Sequence, residues 1–400
     1  MSKPTKLALV GCGGISAAHL NGYKDLHERG CRDFEVVACC DIDIGKAETK
    51  AGEILAFQGN KPQVFGSTDD LLKSGVAEAA DVCLPHAFHH STAIELLAGG
   101  IHVLVEKPVG ITMKAGRKII EAGKSAGRIV ATAENIRRMP GPRAARWALV
   151  EAKLIGDTQA IHIHHNQYGP FDFTNPMMKW RGVKLITGGG MVMDSGAHLG
   201  DMMVHLFGDP DDIYCRMDTL ISAPIEDVSG IGDVNADTED FWQAIISFKN
   251  GVQLNWSYSR TFPGSAFAGN HYFGTEGSMT AEGFPMHPFQ DGGSLVGADG
   301  TVRSPEWVEK KYMDTLSNEE KSNLFPLGAT DGFSIEIFDF VRAIRTGQPV
   351  EMDGEAGLRA KALCIACYES ATAGRAVKYD DVLNGDVSAY QDPIDAHWEI

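Results

Sequence analysis

Two short clusters in this chain carry residues able to move a proton or polarise an oxygen. The first is Glu106-Lys107-Pro108, which follows directly on the apolar run Ile101–Val105. Ligands of open α/β sheets sit beyond the carboxyl ends of the strands, where this tripeptide falls. Proline keeps the preceding lysine extended and out of helix. A lysine so placed can polarise a carbinol or carbonyl oxygen. The second cluster is Gly188-Gly189-Gly190-Met191-Val192-Met193-Asp194-Ser195-Gly196-Ala197-His198. Its pattern predicts a helix over Met191–Phe207, which sets Asp194 and His198, four apart, on one face. An acid beside an imidazole raises its basicity and fixes its orientation, as a general base requires. Asp201 and His205 continue the row. Such a row could ligate a metal; the simpler reading is a helix whose first turns face a cleft, with no metal.

A third element indicates what these groups act beside. The strand-like run Lys6–Val10 ends in Gly11-Cys12-Gly13-Gly14-Ile15-Ser16, and a helical pattern follows. Glycines there allow a sharp turn and close approach of backbone to a pyrophosphate, whose charge the helix N-terminus stabilises. Ser16 occupies the third glycine position and is small enough for close packing. The next apolar run, Phe34–Cys40, ends at Asp41. An acid at that point accepts hydrogen bonds from adenosine ribose hydroxyls and repels a 2′-phosphate. No arginine follows it closely, so NAD is expected over NADP. Asp43 is the better helix cap for the stretch from Ile44 onward.

These clusters need a scaffold, and the periodicity describes it. Strand-like runs Lys6–Val10, Phe34–Cys40, Asp81–Leu84, Ile101–Val105 and Arg128–Thr132 alternate with helical stretches at Ile15–Arg29, Ile44–Phe57, His90–Ala98 and Lys114–Ala126. Continuous apolar strands joined by helices indicate a parallel, doubly wound sheet covered on both faces. After Arg138 the pattern changes. A helix at Pro142–Glu151 is followed by runs at Gln159–His165, Asp212–Thr219, Phe241–Phe248, Val252–Tyr258, His271–Phe273 and Ser278–Ala281. Lys249-Asn250-Gly251 is a hairpin signal. This half reads as an α+β domain with an open, mostly antiparallel sheet. Residues 282–330 read as a long excursion, Gly332–Ile344 and Glu355–Ala373 as helices, and the last 25 residues as an acidic tail. The expected boundaries are 1–137 for the dinucleotide domain, 138–375 for a substrate and oligomerisation domain, and 376–400 for the tail.

Bulk properties narrow the class. With 44% hydrophobic and 22% charged residues over 400 positions, the chain is globular and long enough for two cores. A formal net charge of −17 disfavours nucleic acid and anionic membrane surfaces as partners. No apolar run is long enough to span a bilayer, and the N-terminus lacks the succession of a signal peptide. The eight cysteines include Cys39, Cys40 and Cys83 in strand-like runs, which fits buried reduced thiols and a cytoplasmic location. Cys364 and Cys367 form a CxxC inside a helix without a second pair, so packing rather than zinc is expected.

In sequence order, Gly11-Cys12-Gly13-Gly14-Ile15, Pro85 with His89, Glu106-Lys107-Pro108, Trp180-Arg181, Gly188-Gly189-Gly190, Asp194 with His198, and Gly274-Thr275-Glu276-Gly277 resemble the motifs of the glucose–fructose oxidoreductase / inositol dehydrogenase / MocA family. The resemblance covers about residues 5 to 375. It implies a Rossmann domain followed by an open-sheet domain that forms dimers or tetramers, and an enzyme acting on sugars, glycosides or cyclitols. Carried over by position, Lys107, Asp194 and His198 are the implied catalytic set. Pro85, His86, His89, Glu106, Lys107 and Asn135 are implied contacts around the nicotinamide half of the cofactor. Many relatives carry Asn where this chain has His86. Trp180 and Arg181 are implied to reach the nicotinamide or the substrate. The polar and aromatic stretch Ile161–Phe173, with His165 and Tyr168, is the expected substrate lining.

The expectation is therefore an NAD-dependent dehydrogenase oxidising a secondary hydroxyl, with His198 as base. Two rivals share the scaffold. One is glycoside cleavage assisted by transient oxidation, in which no NADH accumulates. The other is a dinucleotide or sugar sensor without turnover, which would have no use for all three of Lys107, Asp194 and His198.

Overall fold

The computed structural model describes residues 3–228 and 230–400. The chain divides into two compact units. One gathers residues 1–111, 115–138 and 317–357; the other holds 112–114, 139–316 and 358–400. The stretch 317–357 thus folds with the amino-terminal third rather than within the domain expected to run from 138 to 375.

The first unit is a six-stranded parallel sheet. Its strands are β1 (Thr5–Val10), β2 (Phe34–Cys40), β3 (Gln63–Phe65), β4 (Ala79–Val82), β5 (His102–Glu106) and β6 (Val130–Ala133), in the order β3-β2-β1-β4-β5-β6. The strand order reverses between β1 and β4, the point at which doubly wound sheets open a crevice for ligands. Helices α1 (Ser16–Glu28), α2 (Ile44–Gln58), α3 (Thr68–Ser74), α4 (His89–Ala98) and α5 (Met113–Ala126) alternate with the strands. Asp43 caps α2, accepting from the N–H groups of Gly45 and Lys46, and Gly59 ends it in the left-handed conformation. Strand β3 and helix α3 were not expected; β3 is three residues long and only half-buried, so it carries no apolar run.

Helix Gly332–Thr346 completes this unit. Its Ile337, Phe340 and Val341 join Leu7, Leu9, Leu20, Tyr23 and Leu26 in one core. Asp331 caps the helix by accepting from the N–H of Ser334. The approach to α1 is close: a Cβ at Gly22 would lie 3.0 Å from Ile337 Cδ1. Each of the three buried side chains contributes about 1.5–3 kcal/mol.

The second unit is built on a nine-stranded sheet. In spatial order its strands are Val302–Arg303, Gly293–Gly297, Gly277–Ala281, Phe267–Gly274, Thr158–Asn166, Gln253–Ser259, Phe241–Phe248, Pro210–Asp218 and Val377–Lys378. Only Thr158–Asn166 and Gln253–Ser259 run parallel to each other. Burial alternates along Phe241–Phe248, as expected of a sheet covered on one face. Trp242, Trp256 and Tyr258 fill the covered face. The turn at Lys249-Asn250-Gly251 forms, with Gly251 at φ +93°.

Three expectations need correction here. Residues 282–330 are not a bare excursion: two strands extend the sheet, and helices Pro305–Thr315 and Asn318–Leu324 follow. Residues 376–400 are not a free tail. Val377–Lys378 forms the outermost strand beside Pro210–Asp218, and Tyr390 stacks on Tyr368 with ring centroids 4.5 Å apart. The helix expected from Met191 begins at Gly196 and runs to Phe207. All eight cysteines are buried free thiols. Among the described residues, no helix is long and apolar enough to cross a membrane.

Candidate active site

In the first unit, the expected cofactor residues gather at the carboxyl ends of β1, β2, β4, β5 and β6. Gly11 must be glycine: it sits at φ +89°, and a Cβ there would lie 2.3 Å from the Cys83 carbonyl oxygen. Gly13 differs, since nothing lies within 4 Å of where its Cβ would be. That open, exposed backbone fits the approach of a pyrophosphate rather than internal packing. Gly14 and Ile15 are exposed beside it, and α1 starts without a side-chain cap. Ser16 is buried and its hydroxyl donates to the Gly13 carbonyl at 2.6 Å. Asp41 steadies the same turn. One carboxylate oxygen accepts from the Cys12 N–H at 2.7 Å and the other from the Asp43 N–H at 2.8 Å.

The β4 and β5 ends are tied to each other. Pro85 precedes a single turn, His86–Phe88, in which His86 is buried. The His89 ring is fully buried and lies 2.7 Å from the Leu84 carbonyl and 2.9 Å from the Pro108 carbonyl. Burial lowers its basicity, and the two carbonyls only partly offset this. His89, an expected cofactor contact, thus lies between the end of β4 and the Lys107-Pro108 segment, with one ring N–H to donate when neutral. Glu106 is buried at the end of β5 with Oε1 2.9 Å from His19 Nε2. Lys107 follows it half-buried, joined to Pro108 by a cis peptide. Asn135 is half-buried just past β6.

In the second unit, the triple-glycine turn and the residues after it are pinned from outside. Glu239 accepts from the N–H groups of Gly190 and Val192 at 2.7 and 2.9 Å and from the Tyr368 hydroxyl at 2.8 Å. The Met193 N–H donates to that hydroxyl at 3.2 Å. Gly190 leaves room for this carboxylate, since a Cβ there would lie 2.9 Å from Glu239 Cδ. Burial pushes the Glu239 carboxyl above its usual range, against the pull of its donors. These bonds hold 190–195 in turns and delay the helix to Gly196. Glu239→Gln turns an amide NH2 toward a site lined by donors. It should cost about 1–3 kcal/mol, read as a lower midpoint in denaturant unfolding.

Asp194 therefore lies in the turn before the helix rather than within the helix that carries His198. Its Oδ2 accepts from Arg181 Nε at 2.7 Å, and the Arg181 guanidinium lies over the Trp180 ring, 4.3 Å from its centroid. Trp180, Arg181 and Asp194 thus form one group, which spacing did not foretell. His198 stands in the first turn of the helix and is 8% exposed. A run of ring contacts leads from it. His287 lies edge-on at 4.7 Å, Phe284 meets His287 at 5.2 Å, and His165 meets Phe284 at 5.2 Å. His165 also stacks on Tyr258, and its Nδ1 is buried without a hydrogen-bond partner among the described residues. Tyr168 lies past the strand end and is 59% exposed. The pleat divides the expected lining: His165 turns to the covered face with Ile161 and Ile163, whereas His162 and His164 lie on the other. Sequence reasoning missed Glu239, Phe284 and His287. The unpaired Gly-rich turn was the one signal that a buried acceptor was needed.

Two family models match the two halves: the oxidoreductase family, NAD-binding Rossmann fold, over residues 5–134, and the GFO/IDH/MocA C-terminal domain over residues 144–280. The chain belongs to the GFO/IDH/MocA family. It is an oxidoreductase with an NAD-binding Rossmann domain. Its relatives include the 1,5-anhydro-D-fructose reductase of Ensifer adhaerens, 25% identical over 86% of this chain and 92% of the relative. Among solved structures, levoglucosan dehydrogenase in complex with NADH and levoglucosan matches with a TM-score of 0.73 at 21% identity, covering 94% of this chain and 99% of that one. A Desulfitobacterium hafniense structure described as an NADPH-dependent oxidoreductase matches with a TM-score of 0.71 at 17% identity, covering 96% and 100%. At these identities the solved structures speak for the GFO/IDH/MocA fold.

Proposed function

We propose that the chain oxidises a secondary hydroxyl of a sugar, glycoside or cyclitol with NAD. His198 takes the hydroxyl proton, Asp194 orients and stabilises the resulting imidazolium, and Lys107 hydrogen-bonds the oxygen as charge develops on it. The bound nicotinamide supplies the hydride acceptor. Pro85, His86, Glu106, Asn135, Trp180 and Arg181 shape the surroundings of that ring, and His165 and Tyr168 offer polar groups to a hydroxylated substrate. The observation that carries this reading is the set of β-strand ends in the first unit: the open turn at Gly13, Asp41 and Lys107 stand after β1, β2 and β5, around the reversal of strand order. The substrate class is supported by the sugar named in the relative from Ensifer adhaerens. NAD rather than NADP is supported by Asp41, whose carboxylate would repel a 2′-phosphate.

The test is reduction of NAD and of NADP measured against a panel of monosaccharides, glycosides and cyclitols. NADH should accumulate with at least one of them, with NADP about tenfold or more poorer. Consumption of a glycoside with no net NADH would favour the cleavage reading. Tight NAD binding with no turnover across the panel would favour a sensor.

We further propose that two or four copies assemble through the uncovered face of the nine-stranded sheet. Ile245, Phe267 and Phe273 are 54%, 60% and 44% exposed there, beside the uncharged Ala160, His162, His164 and Asn166. In a chain of net charge −17, like copies repel least across such a face. Sedimentation reads the assembly directly.

A further inference from the structure

Beneath the β4 and β5 ends lies a buried polar cluster that the proposed chemistry does not use. His19, on α1 just past the glycine turn, is fully buried. Its Nδ1 is 2.9 Å from Asp81 Oδ2 on β4, and its Nε2 is 2.9 Å from Glu106 Oε1 at the end of β5. The Tyr23 hydroxyl donates to the same Asp81 oxygen at 2.8 Å, and the Cys83 thiol lies 3.6 Å from the other. The Phe333 ring lies 5.1 Å from that of His19. We infer that His19 is a positioning residue, tying Glu106, and with it the adjoining Lys107, to strand β4 through Asp81. The inference rests on the proposed role of Lys107.

Hydrogen-bond counting gives the clamp its character. A neutral imidazole has one N–H, yet here two carboxylates each approach a ring nitrogen. Both contacts are made together when the ring carries both protons. Burial is the largest single influence on His19 and lowers its basicity, but the charges and hydrogen bonds of Asp81 and Cys83 together outweigh it and hold the ring well above its usual range. The remaining titratable neighbour, Glu336, has a buried carboxyl with neither oxygen hydrogen-bonded among the described residues. Burial raises it toward the neutral form, so it adds little charge of its own. The cation thus sits buried between two carboxylates. Without it, Asp81 and Glu106 face each other unscreened; one takes a proton or Glu106 moves, and Lys107 moves with it.

The ligand atoms of His19, Asp81 and Cys83 lie within 4.8 Å of one another, a grouping that could also hold a metal. The 2.9 Å contact between nitrogen and oxygen is a direct hydrogen bond, shorter than two ligands of one tetrahedral zinc allow.

Two readouts test the clamp on the full chain. The first needs no turnover: nitrogen NMR of labelled histidine. One of the 14 histidines should remain doubly protonated at a pH where ordinary histidines are neutral, and its signal should vanish in His19→Gln. All rings neutral at that pH, or one zinc per chain in metal analysis, would overturn the inference. The second is kinetic. His19→Gln should lower kcat by about 10- to 100-fold with NAD affinity changed far less. Added to Glu106→Gln, which removes the charge His19 holds, it should cost little more. Multiplied losses in the double variant would overturn the inference. If His19→Gln does not fold, the NMR of the unaltered chain and of Glu106→Gln decides, because loss of the carboxylate should lower the pH at which His19 gives up its proton; an unmoved titration would reject the link. If Lys107 proves dispensable while the NMR signature stands, the reading of Lys107 fails and the clamp does not.

Discussion

His198→Ala should abolish measurable oxidation, lowering kcat/KM by about 10³-fold, while NAD binding stays near normal. The imidazole is the proposed base. It stands in the first turn of Gly196–Phe207, largely shielded from water, with the His287 ring edge-on at 4.7 Å. The turn before it is fixed by Glu239 and Tyr368, so the backbone carrying the ring has little freedom. Alanine at this helical position keeps that backbone. Steady-state kinetics on the substrate found by the panel, with cofactor binding followed by fluorescence, separate the two effects. Near-normal turnover in the variant would remove His198 from the role of base. His198→Gln, which keeps the volume without the basic nitrogen, should be as inactive as alanine.

Much of this arrangement was legible in the sequence because it is local. The apolar runs of β1, β2, β4 and β5 and the glycine turn at Gly11 are contiguous signals, and each maps onto one element. Asp43 as the α2 cap follows from its type and place alone. What was not legible depends on partners far along the chain. Residues 191–195 have helical pattern, yet they form turns because Glu239, nearly fifty residues away, accepts from Gly190 and Val192. Helix Gly332–Thr346 was visible as a helix, but not its packing on α1, which needs the small Gly22 opposite Ile337. Tyr390 looked like part of an acidic tail; its hydroxyl donates to the Gly188 carbonyl at 3.1 Å, so the last residues buttress the same turn. The resemblance likewise pointed to His89 but not to its partners. Its ring faces two backbone carbonyls, a fact that spacing cannot express.

Lys107→Ala should lower kcat by about 10²- to 10³-fold, the usual cost of removing one donor to a developing oxyanion, again with little change in NAD affinity. Position supports the size of the effect. Lys107 follows a strand end held by two buried imidazoles, His19 on Glu106 and His89 beside the Pro108 carbonyl, so its backbone is restrained. The stronger measurement is the pair. Lys107 and His198 belong to different compact units, and a substrate oxygen shared by the two would make their contributions depend on each other. If both act on one carbinol, each single variant already destroys most of the transition-state stabilisation. Lys107→Ala with His198→Ala should then be scarcely slower than the worse single variant. If the two act at separate sites, their losses multiply. Single-turnover rates with saturating cofactor distinguish these outcomes, because they read the chemical step free of product release. Multiplied losses would separate the strand-end lysine from the helix-start imidazole and leave the GFO/IDH/MocA scaffold in need of another base.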